Sequence, residues 1–197
     1  MLGFPIALWL FTLAPSEAPE LEPAGGEADA AADAATEAQR DEQAALDRFA
    51  GKYRYVGGTK QHDRLRRAID VAIEPMLDII EGLARRKLNA NLSPAGHYDF
   101  VVDGDDIRID DRTGHPMAGR ADGTRFQWKG DDGKHRASRI RFARGAVRVR
   151  VVGPHSSTRI VYRLDAAGKR LTRTTTIVDD RMPRPLTYKF SYRRIAE

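Results

Sequence analysis

The sequence predicts a mainly β protein, an antiparallel up-and-down meander of about ten strands closed or nearly closed into a barrel, with two helices inserted after strand 1. Apolar and polar residues alternate strictly from about His97 onward, most clearly in Arg139–Phe142 and Val147–Val151, which is typical of strands with one dry and one wet face. Turn signals separate these strands at short intervals, among them Asp103-Gly104, Asp122-Gly123, Arg144-Gly145, Gly153-Pro154 and Ala167-Gly168. Closure of such a meander removes its exposed edges.

The first strand and the helix pair are predicted before His97. Phe49–Val56 has the pattern of a short strand that ends at Gly57-Gly58. We place the start of the second helix at Pro75, because proline is tolerated in a first turn and not in a helix interior. The apolar residues at helical spacing are Leu65, Ala68, Ile69 and Ala72 in the first helix and Met76, Leu77, Ile80, Leu83, Ala84 and Leu88 in the second.

The N-terminal residues have the composition of an export signal. Met1–Ala14 is almost entirely apolar and too short to span a bilayer comfortably. It ends in one possible cleavage site, Thr12–Ala14, and another, Ser16–Ala18, follows it. No Lys or Arg precedes the apolar run, so an upstream start, an atypical signal or an uncleaved anchor all remain open. We expect residues 1–18 to be a signal peptide and the protein to be exported to the periplasm or cell envelope of a bacterium.

Charge divides the chain into an acidic leader and a basic domain. The chain has 33 Lys and Arg against 28 Asp and Glu, but ten of the acids and one of the bases lie in residues 1–47, which leaves a net charge of +14 for residues 48–197. Ala, Glu, Pro, Gly and Asp dominate residues 19–47, where we predict a disordered linker with a short helical segment at 41–48. The basic domain, residues 48–197, is expected to attract anionic partners.

The alternation assigns the two faces of the predicted sheet. The inward residues are Tyr98, Phe100, Val102, Ile107, Ile109, Phe126, Trp128, Ile140, Phe142, Val147, Val149, Val151, Ile160, Tyr162, Leu164, Leu171, Thr175, Ile177, Leu186, Tyr188, Phe190 and Tyr192. The outward residues include the arginine belt, which comprises Arg139, Arg141, Arg148, Arg150, Arg159 and Arg163. The belt is interpreted either as a contact surface for anionic lipid or lipopolysaccharide or as an ordinary solvated face, and nucleic acid is the weakest partner because no exposed aromatic residues are interleaved with it.

Arg173 breaks this pattern because it shares a face with Leu171, Thr175 and Ile177. A charge among inward apolar residues is unfavourable unless it is paired. In one interpretation Arg173 anchors the carboxylate or phosphate of a ligand inside the barrel. In the other it lies at the barrel mouth or pairs with a buried acid. The lining residues we predict for a ligand are Phe126, Trp128, Tyr162, Arg173, Tyr188 and Tyr192.

The order of elements resembles the intracellular lipid-binding barrel of the fatty-acid-binding proteins, and more distantly the lipocalins, which lack the helix pair. The resemblance covers residues 49–195 and includes the opening Phe49-x-Gly51-x-Tyr53. It implies a calycin-like barrel around a lipid-like ligand, in which an Arg-x-Tyr of the last strand holds a carboxylate. Here the matching segment is Phe190–Tyr192, with the tyrosine and without the arginine. Asp180–Leu186 and the residues after it also resemble bacterial envelope proteins of no assigned activity.

Known catalytic and metal-binding motifs are missing from the sequence. There is no cysteine, nucleophile elbow, P-loop, HExxH or dinucleotide fingerprint, and the five histidines lack ligand spacing. The acidic clusters fall at predicted hairpin turns, where Asp is favoured for local backbone bonding, and none fits an EF-hand. We therefore predict no metal and no cofactor.

Three function classes follow, in descending order. The first is a binding protein that holds a small hydrophobic or amphipathic molecule in the barrel, for which a cavity of several hundred Å³ is the discriminating feature. The second is a non-enzymatic envelope protein with a filled barrel that binds anionic surfaces through the arginine belt. The third, an enzyme, needs a cleft with convergent titratable groups that no spacing in the sequence indicates.

Overall fold

The computed structural model describes residues 25–130 and 132–195, and it confirms the predicted fold class: ten antiparallel strands in a nearly closed barrel, with two helices after the first strand. The barrel lies in the compact unit Glu37–Glu197. The helices are α1 (Gly25–Asp47), α2 (Gly58–Ile73) and α3 (Asp78–Asn91). The strands are β1 (Gly51–Tyr55), β2 (His97–Asp103), β3 (Asp106–Asp110), β4 (Met117–Arg120), β5 (Asp122–Lys129), β6 (His135–Ala143), β7 (Ala146–Val152), β8 (Ser156–Leu164), β9 (Arg170–Asp179) and β10 (Leu186–Arg194).

Neighbouring strands in the sheet are consecutive in the chain, except that β1 pairs with β10. The two outer strands of the sheet, β4 and β5, are consecutive in the chain and meet at Ala121. The Ala121 N–H donates to the Asp105 carbonyl at 2.7 Å, and the Ala121 carbonyl accepts from the Phe142 N–H at 2.6 Å. One residue thus links the two ends of the sheet, although no ladder pairs β4 with β5 in the described residues.

The ring of Phe126 covers this junction. A Cβ atom at Gly119 of β4 would lie 2.6 Å from the Phe126 ring, so only glycine lets the ring lie against the β4 backbone. The seal between β4 and β5 therefore depends on a glycine and an aromatic residue that face each other.

The observed faces confirm the alternation. Every residue predicted to point inward is buried or is half-buried against the core, including Val147, Val149 and Val151 of β7. Arg139, Arg141 and Arg150 on the same strands are exposed. A shift of one residue would exchange the two sets, so the buried face fixes the register.

Of the two helices of the pair, α2 makes the fully buried contacts with one end of the barrel. Leu65, Ile69, Ala72 and Ile73 of α2 are buried, and the Gln61 side chain bonds both the backbone and the hydroxyl of Ser191 in β10 at 2.9 Å. None of the helices in the described residues is long and apolar enough to cross a membrane.

The second helix differs from the prediction in its start and its burial. It begins at Asp78, not at Pro75, because the Met76 N–H bonds back to the Ile73 carbonyl in a turn and Leu77 has extended backbone. None of its residues is fully buried, and of the predicted stripe Met76, Ala84 and Leu88 pack partly on the core. The exposed apolar residues of this corner are Val71, Leu77, Ile79, Ile80 and Leu83.

Residues 25–47 form α1, where the composition predicts a disordered linker over 19–47. The correction has a physical cause: Ala, Glu, Gln and Arg have high intrinsic helix propensity, which a criterion based on hydrophobic burial ignores. The predicted short helical segment at 41–48 is the end of this longer helix. The predicted signal peptide, residues 1–18, lies outside the described residues.

The end of α1 closes the barrel at the end opposite the helix pair. Leu46 and Phe49 are buried in the core, and the Phe49 ring lies 6.3 Å from the Phe100 ring and 6.0 Å from the Phe142 ring. Arg194 of β10 holds this segment, because its Nη1 donates to the Ala50 carbonyl at 3.0 Å. The lower end of the barrel is therefore packed shut.

Removal of the Phe49 ring, which packs the lower end of the barrel, should destabilise the protein. We expect Phe49→Ala to lower the free energy of unfolding by about 3–5 kcal/mol, because it removes a buried ring from a fixed aromatic cluster. Ile79→Ala is the control, since Ile79 is 89% exposed and its loss should change stability by about 0.5 kcal/mol or less. Urea denaturation followed by circular dichroism measures both free energies of unfolding. An equal effect of the two changes would contradict the packing role of Phe49 at the lower end of the barrel.

Candidate ligand-binding site

The upper half of the barrel encloses a cavity of about 620 Å³ beside the C-terminal end of α3. The barrel is thus filled below and hollow above. The strands supply a mixed lining of aromatic, hydroxyl, charged and aliphatic side chains. The lining residues from the barrel interior are Tyr98, Met117, Trp128, Arg136, Val151, Thr158, Ile160, Arg173, Thr175, Ile177 and Tyr188.

Four aromatic rings form the floor of the cavity. Tyr98 is at its centre, with ring centroids 5.7 Å from Tyr162 and 4.9 Å from Tyr192 in edge-on contacts. Phe100 packs below Tyr162 at 5.2 Å. Edge-to-face contacts at these distances stabilise the cluster beyond simple area burial and hold the rings in fixed positions.

Arg173 of β9 lies above this floor. Strand pairing places it opposite Tyr162 on β8 and Phe190 on β10, in the middle of the sheet. Its Cζ is 6.0 Å from the centroid of the Tyr98 ring, at the limit of a cation–π contact. Its Nε is buried without a hydrogen-bond partner, and within the described residues no carboxylate forms an ion pair with Arg173.

The charge of Arg173 is retained despite its surroundings. Burial acts to lower the pKa of the guanidinium, but Tyr98, Tyr162, Tyr188 and Tyr192 together raise that pKa above its usual value. Arginine is in any case protonated throughout the accessible range. The cavity therefore contains a permanent positive charge, and the alternative of a buried acid partner finds no support in the described part of the chain.

Thr175 adds a second unsatisfied group, two residues further along β9 on the same face. Its side chain is 1% exposed, and its Oγ1 is buried without a partner. Both Arg173 and Thr175 line the cavity. Because native proteins satisfy most buried polar atoms, two such atoms beside one cavity indicate a place where a ligand or water completes the bonding.

A charged pair lies nearer the mouth. Arg136 of β6 points into the barrel and donates to both carboxylate oxygens of Asp132, at 2.8 and 2.6 Å. The hydrogen bonds from Arg136 hold the pKa of Asp132 at about 2. The pair is half-exposed, so it orders the rim of the cavity more than it adds stability.

Asp111 is the other acid of the rim. Its Oδ1 accepts from the backbone N–H of Thr113 at 3.2 Å and from the Thr113 hydroxyl at 2.6 Å, as in an Asx turn. Asp111 and the burial of the ring both raise the pKa of Tyr98, burial being the larger cause. The rim thus contains the Arg136–Asp132 pair and Asp111, whereas Arg173 lies deeper, above the aromatic floor.

The structure separates the six predicted ligand residues into three groups. Arg173, Trp128 and Tyr188 line the cavity. Tyr162 and Tyr192 are buried in the aromatic floor. Phe126 lies away from the cavity, on a separate hollow of about 280 Å³ outside it, because its ring covers the β4–β5 junction.

Sequence reasoning missed Tyr98, Arg136 and Thr175 as parts of this site. Tyr98 and Thr175 were assigned only to the inward face. Arg136 had a usable signal, because it has the same parity as Ile140 and Phe142 on β6. Asp132 belongs to the turn before β6, and no periodic pattern reports where a turn carboxylate points.

The six belt arginines all lie on the outer face of the barrel, with Arg148 half-buried and the others exposed. Arg139, Arg150 and Arg159 occupy directly opposite positions on β6, β7 and β8, as do Arg141 and Arg148. Arg163 lies apart from them, opposite Ala146 near the lower turns.

The sequence predicts no metal and no cofactor, and the side chains that could hold a metal in this chain are those of His, Asp and Glu. Among the described residues, no group of three His, Asp or Glu side chains is placed to hold a metal ion. The ring of His62 packs against Tyr55 at 5.9 Å, and His115 contributes its backbone carbonyl to the Trp128 indole N–H at 3.1 Å.

The strand order and the position of the helix pair define a calycin-like barrel. No family model and no curated protein matches the sequence. Similar solved structures include a Schistosoma mansoni fatty acid binding protein in complex with arachidonic acid, with 19% identity, a TM-score of 0.48, and coverage of 77% of this chain and 99% of that one. Zebrafish ileal bile acid-binding protein complexed with cholic acid has 12% identity, 75% and 99% coverage and a TM-score of 0.46. A secretory abundant heat soluble protein from Ramazzottius varieornatus has 11% identity, 76% and 96% coverage and a TM-score of 0.49. These similarities are in fold alone.

The three tyrosines of the aromatic floor make the free energy of unfolding depend on pH in the alkaline range. Burial raises the pKa of Tyr98, Tyr162 and Tyr192 in the folded protein, so above about pH 10 the unfolded chain releases protons that the native protein retains. The free energy of unfolding should therefore fall as pH rises beyond that value, by about 1.4 kcal/mol per pH unit for each such tyrosine. Urea titrations of the wild type and Tyr162→Phe at increasing pH test this, and an equal slope for both proteins would exclude Tyr162 as a contributor.

Proposed function

We propose that this protein binds an anionic amphiphile inside the barrel, with the anionic group directed inward to Arg173. The observation that carries the proposal is the buried, unpartnered Nε of Arg173 beside a cavity of about 620 Å³. A cation in this position lacks a protein counter-charge among the described residues. A carboxylate, sulfate or phosphate oxygen would supply one.

The energetics favour an anion over a neutral group. A desolvated charge without a partner is unfavourable, and a charge-assisted hydrogen bond contributes about 1.5–3 kcal/mol. Thr175 lines the same cavity two residues along β9, with its Oγ1 buried. An oxyanion bound to the Arg173 guanidinium supplies the missing counter-charge.

The rest of the cavity accommodates the apolar part of such a ligand. Val151, Ile160 and Ile177 line its wall, and Leu92 and Met117 lie nearer the mouth. A volume of about 620 Å³ lies within the usual range for small-molecule sites. Depth and polarity together select a molecule with one anionic end and one apolar chain.

Binding without chemistry is the activity these side chains support. Among the described residues of the cavity, the carboxylates are Asp111 and Asp132, and each is engaged by a neighbour, Thr113 or Arg136. A general base needs to be near the reacting proton and poised close to the working pH, whereas the pKa of Asp132 is held at about 2. We therefore assign the site to ligand retention.

Arg173→Met should separate ligand binding from stability. The change removes the charge and keeps the length of the side chain, so we expect the affinity for decanoate to fall by about 10- to 100-fold. Decanol, which lacks the charge, should bind the two proteins about equally. The free energy of unfolding without ligand should stay the same or rise, because an apolar side chain replaces an unpaired buried cation.

Isothermal titration calorimetry with decanoate and decanol measures these affinities. Arg163→Met is the matched control, since Arg163 is exposed on the outer face and its change should leave both affinities unaltered. Equal loss of decanoate and decanol binding in Arg173→Met would indicate a distorted cavity and overturn the assignment of Arg173. Native mass spectrometry of protein from its own host would identify a co-purifying ligand.

We also propose that the chain is exported, on the evidence of the apolar Met1–Ala14 run and the small residues that follow it. Fractionation of cells that express the full chain should place it in the envelope or periplasm. N-terminal sequencing of that material should give a start after Ala14 or after Ala18. An intact N-terminus on a cytosolic protein would contradict export, and an intact N-terminus in the membrane fraction would indicate the anchor.

A further inference from the structure

Six arginines form a continuous patch on the outer wall of β5 to β8, which we call the arginine wall. Arg125, Arg139, Arg150 and Arg159 lie directly opposite one another on the four successive strands. Arg141 and Arg148 form a second row beside them. Neighbouring strands are about 4.8 Å apart, so the first row places four guanidinium groups along about 14 Å.

These arginines form no ion pair with a described residue, whereas several other exposed arginines do. Arg66 pairs with Asp63 at 2.5 Å, Arg108 with Asp110 at 3.3 Å, and Arg181 with Asp179 at 2.7 Å. In the part of the chain that the structure describes, no member of the arginine wall forms an ion pair. Six guanidinium groups on one outer face are therefore available to an external anion.

Like charges directly opposite on adjacent strands repel and destabilise the pairing. Repulsion among the wall arginines therefore destabilises the strand pairing, and an anionic partner would reduce that repulsion. Asp122 is the acid nearest to it, but its carboxylate already bonds Arg120 at 3.0 Å and the Thr124 N–H at 2.7 Å. These bonds lower the pKa of Asp122, whose carboxylate is thus already engaged by its own neighbours.

The wall also has a recess that fits a small anionic group. A hollow of about 350 Å³ is lined by five arginines and one acid, namely Arg139, Arg141, Arg148, Arg150, Arg159 and Asp122. The Nε of Arg148 is buried beside it and has no hydrogen-bond partner. A recess with an unsatisfied donor and several cations around it has the chemistry of a phosphate site.

We propose that the arginine wall binds the phosphate headgroups of an anionic membrane surface. The outward residues next to the rows are Gln127, Ala137 and Val152, and Val152 is 41% exposed. Ala137 and Val152 are small or apolar and Gln127 is uncharged, which suits the headgroup boundary of a bilayer. Single-stranded nucleic acid needs exposed aromatic rings for stacking, and the described outward residues of β5 to β8 include none.

The test uses the full chain and vesicles made of equal parts phosphatidylglycerol and phosphatidylcholine. Each surface arginine contributes about 1 kcal/mol to binding an anionic bilayer, so the triple variant Arg139→Gln, Arg148→Gln, Arg150→Gln should bind about 100-fold more weakly in co-sedimentation. The control triple Arg66→Gln, Arg108→Gln, Arg181→Gln loses the same net charge outside the wall and should stay within about threefold of the wild type. Binding should weaken as salt rises from low ionic strength to about 0.15 M.

Several outcomes would overturn the proposal. Equal losses in the two triples would show that net charge alone drives binding. No binding of the wild type at low salt would exclude the membrane, and tighter binding of a single-stranded oligonucleotide than of vesicles would make nucleic acid the partner. Decanoate binding by the wall triple should match the wild type, because Arg173 and the cavity are untouched, so this result is independent of the ligand proposed for the barrel.

Discussion

A positive charge that cannot be released, held inside a wall of strands, constrains the upper half of this barrel. Arg173 keeps its proton at every accessible pH, and the pairing of β9 with β8 and β10 leaves it no route to the outer surface. The Cζ of Arg173 lies 6.0 Å from the centroid of the Tyr98 ring, at the limit of a cation–π contact. The space above Arg173 stays open because an aliphatic filling would enclose the charge entirely.

The two ends of the barrel consequently divide the work of stability and of binding. At the lower side of the aromatic floor, Phe100 packs with Phe49 and Phe142 in an apolar core. Arg194 donates to the Ala50 carbonyl and so holds the segment that carries Phe49. Above the floor, unsatisfied polar atoms and the half-exposed Arg136–Asp132 pair line a cavity. Changes to the upper residues can therefore alter affinity with little effect on folding, which is the usual separation between a rigid scaffold and a site mounted on it.

Much of this arrangement could be predicted from the sequence because period-two alternation carries the information. It assigned Val147, Val149 and Val151 to the core and identified Arg173 as the exception. What it missed depends on other physics. The length of α1 comes from intrinsic helix propensity and not from burial, and the position of Phe126 depends on a missing side chain at Gly119 on a different strand.

The neighbours of β1 determine the order in which the chain can fold. Tyr53 pairs with Tyr98 on one side and with Arg194 on the other, so the last ladder joins residues about 140 positions apart. Contacts this distant in sequence require the loss of much chain entropy before they contribute, and proteins rich in them fold slowly. Until β10 is in place, β1 can pair with β2 alone and keeps its other edge unpaired. An unpaired strand edge of this kind exposes an incompletely folded chain to aggregation.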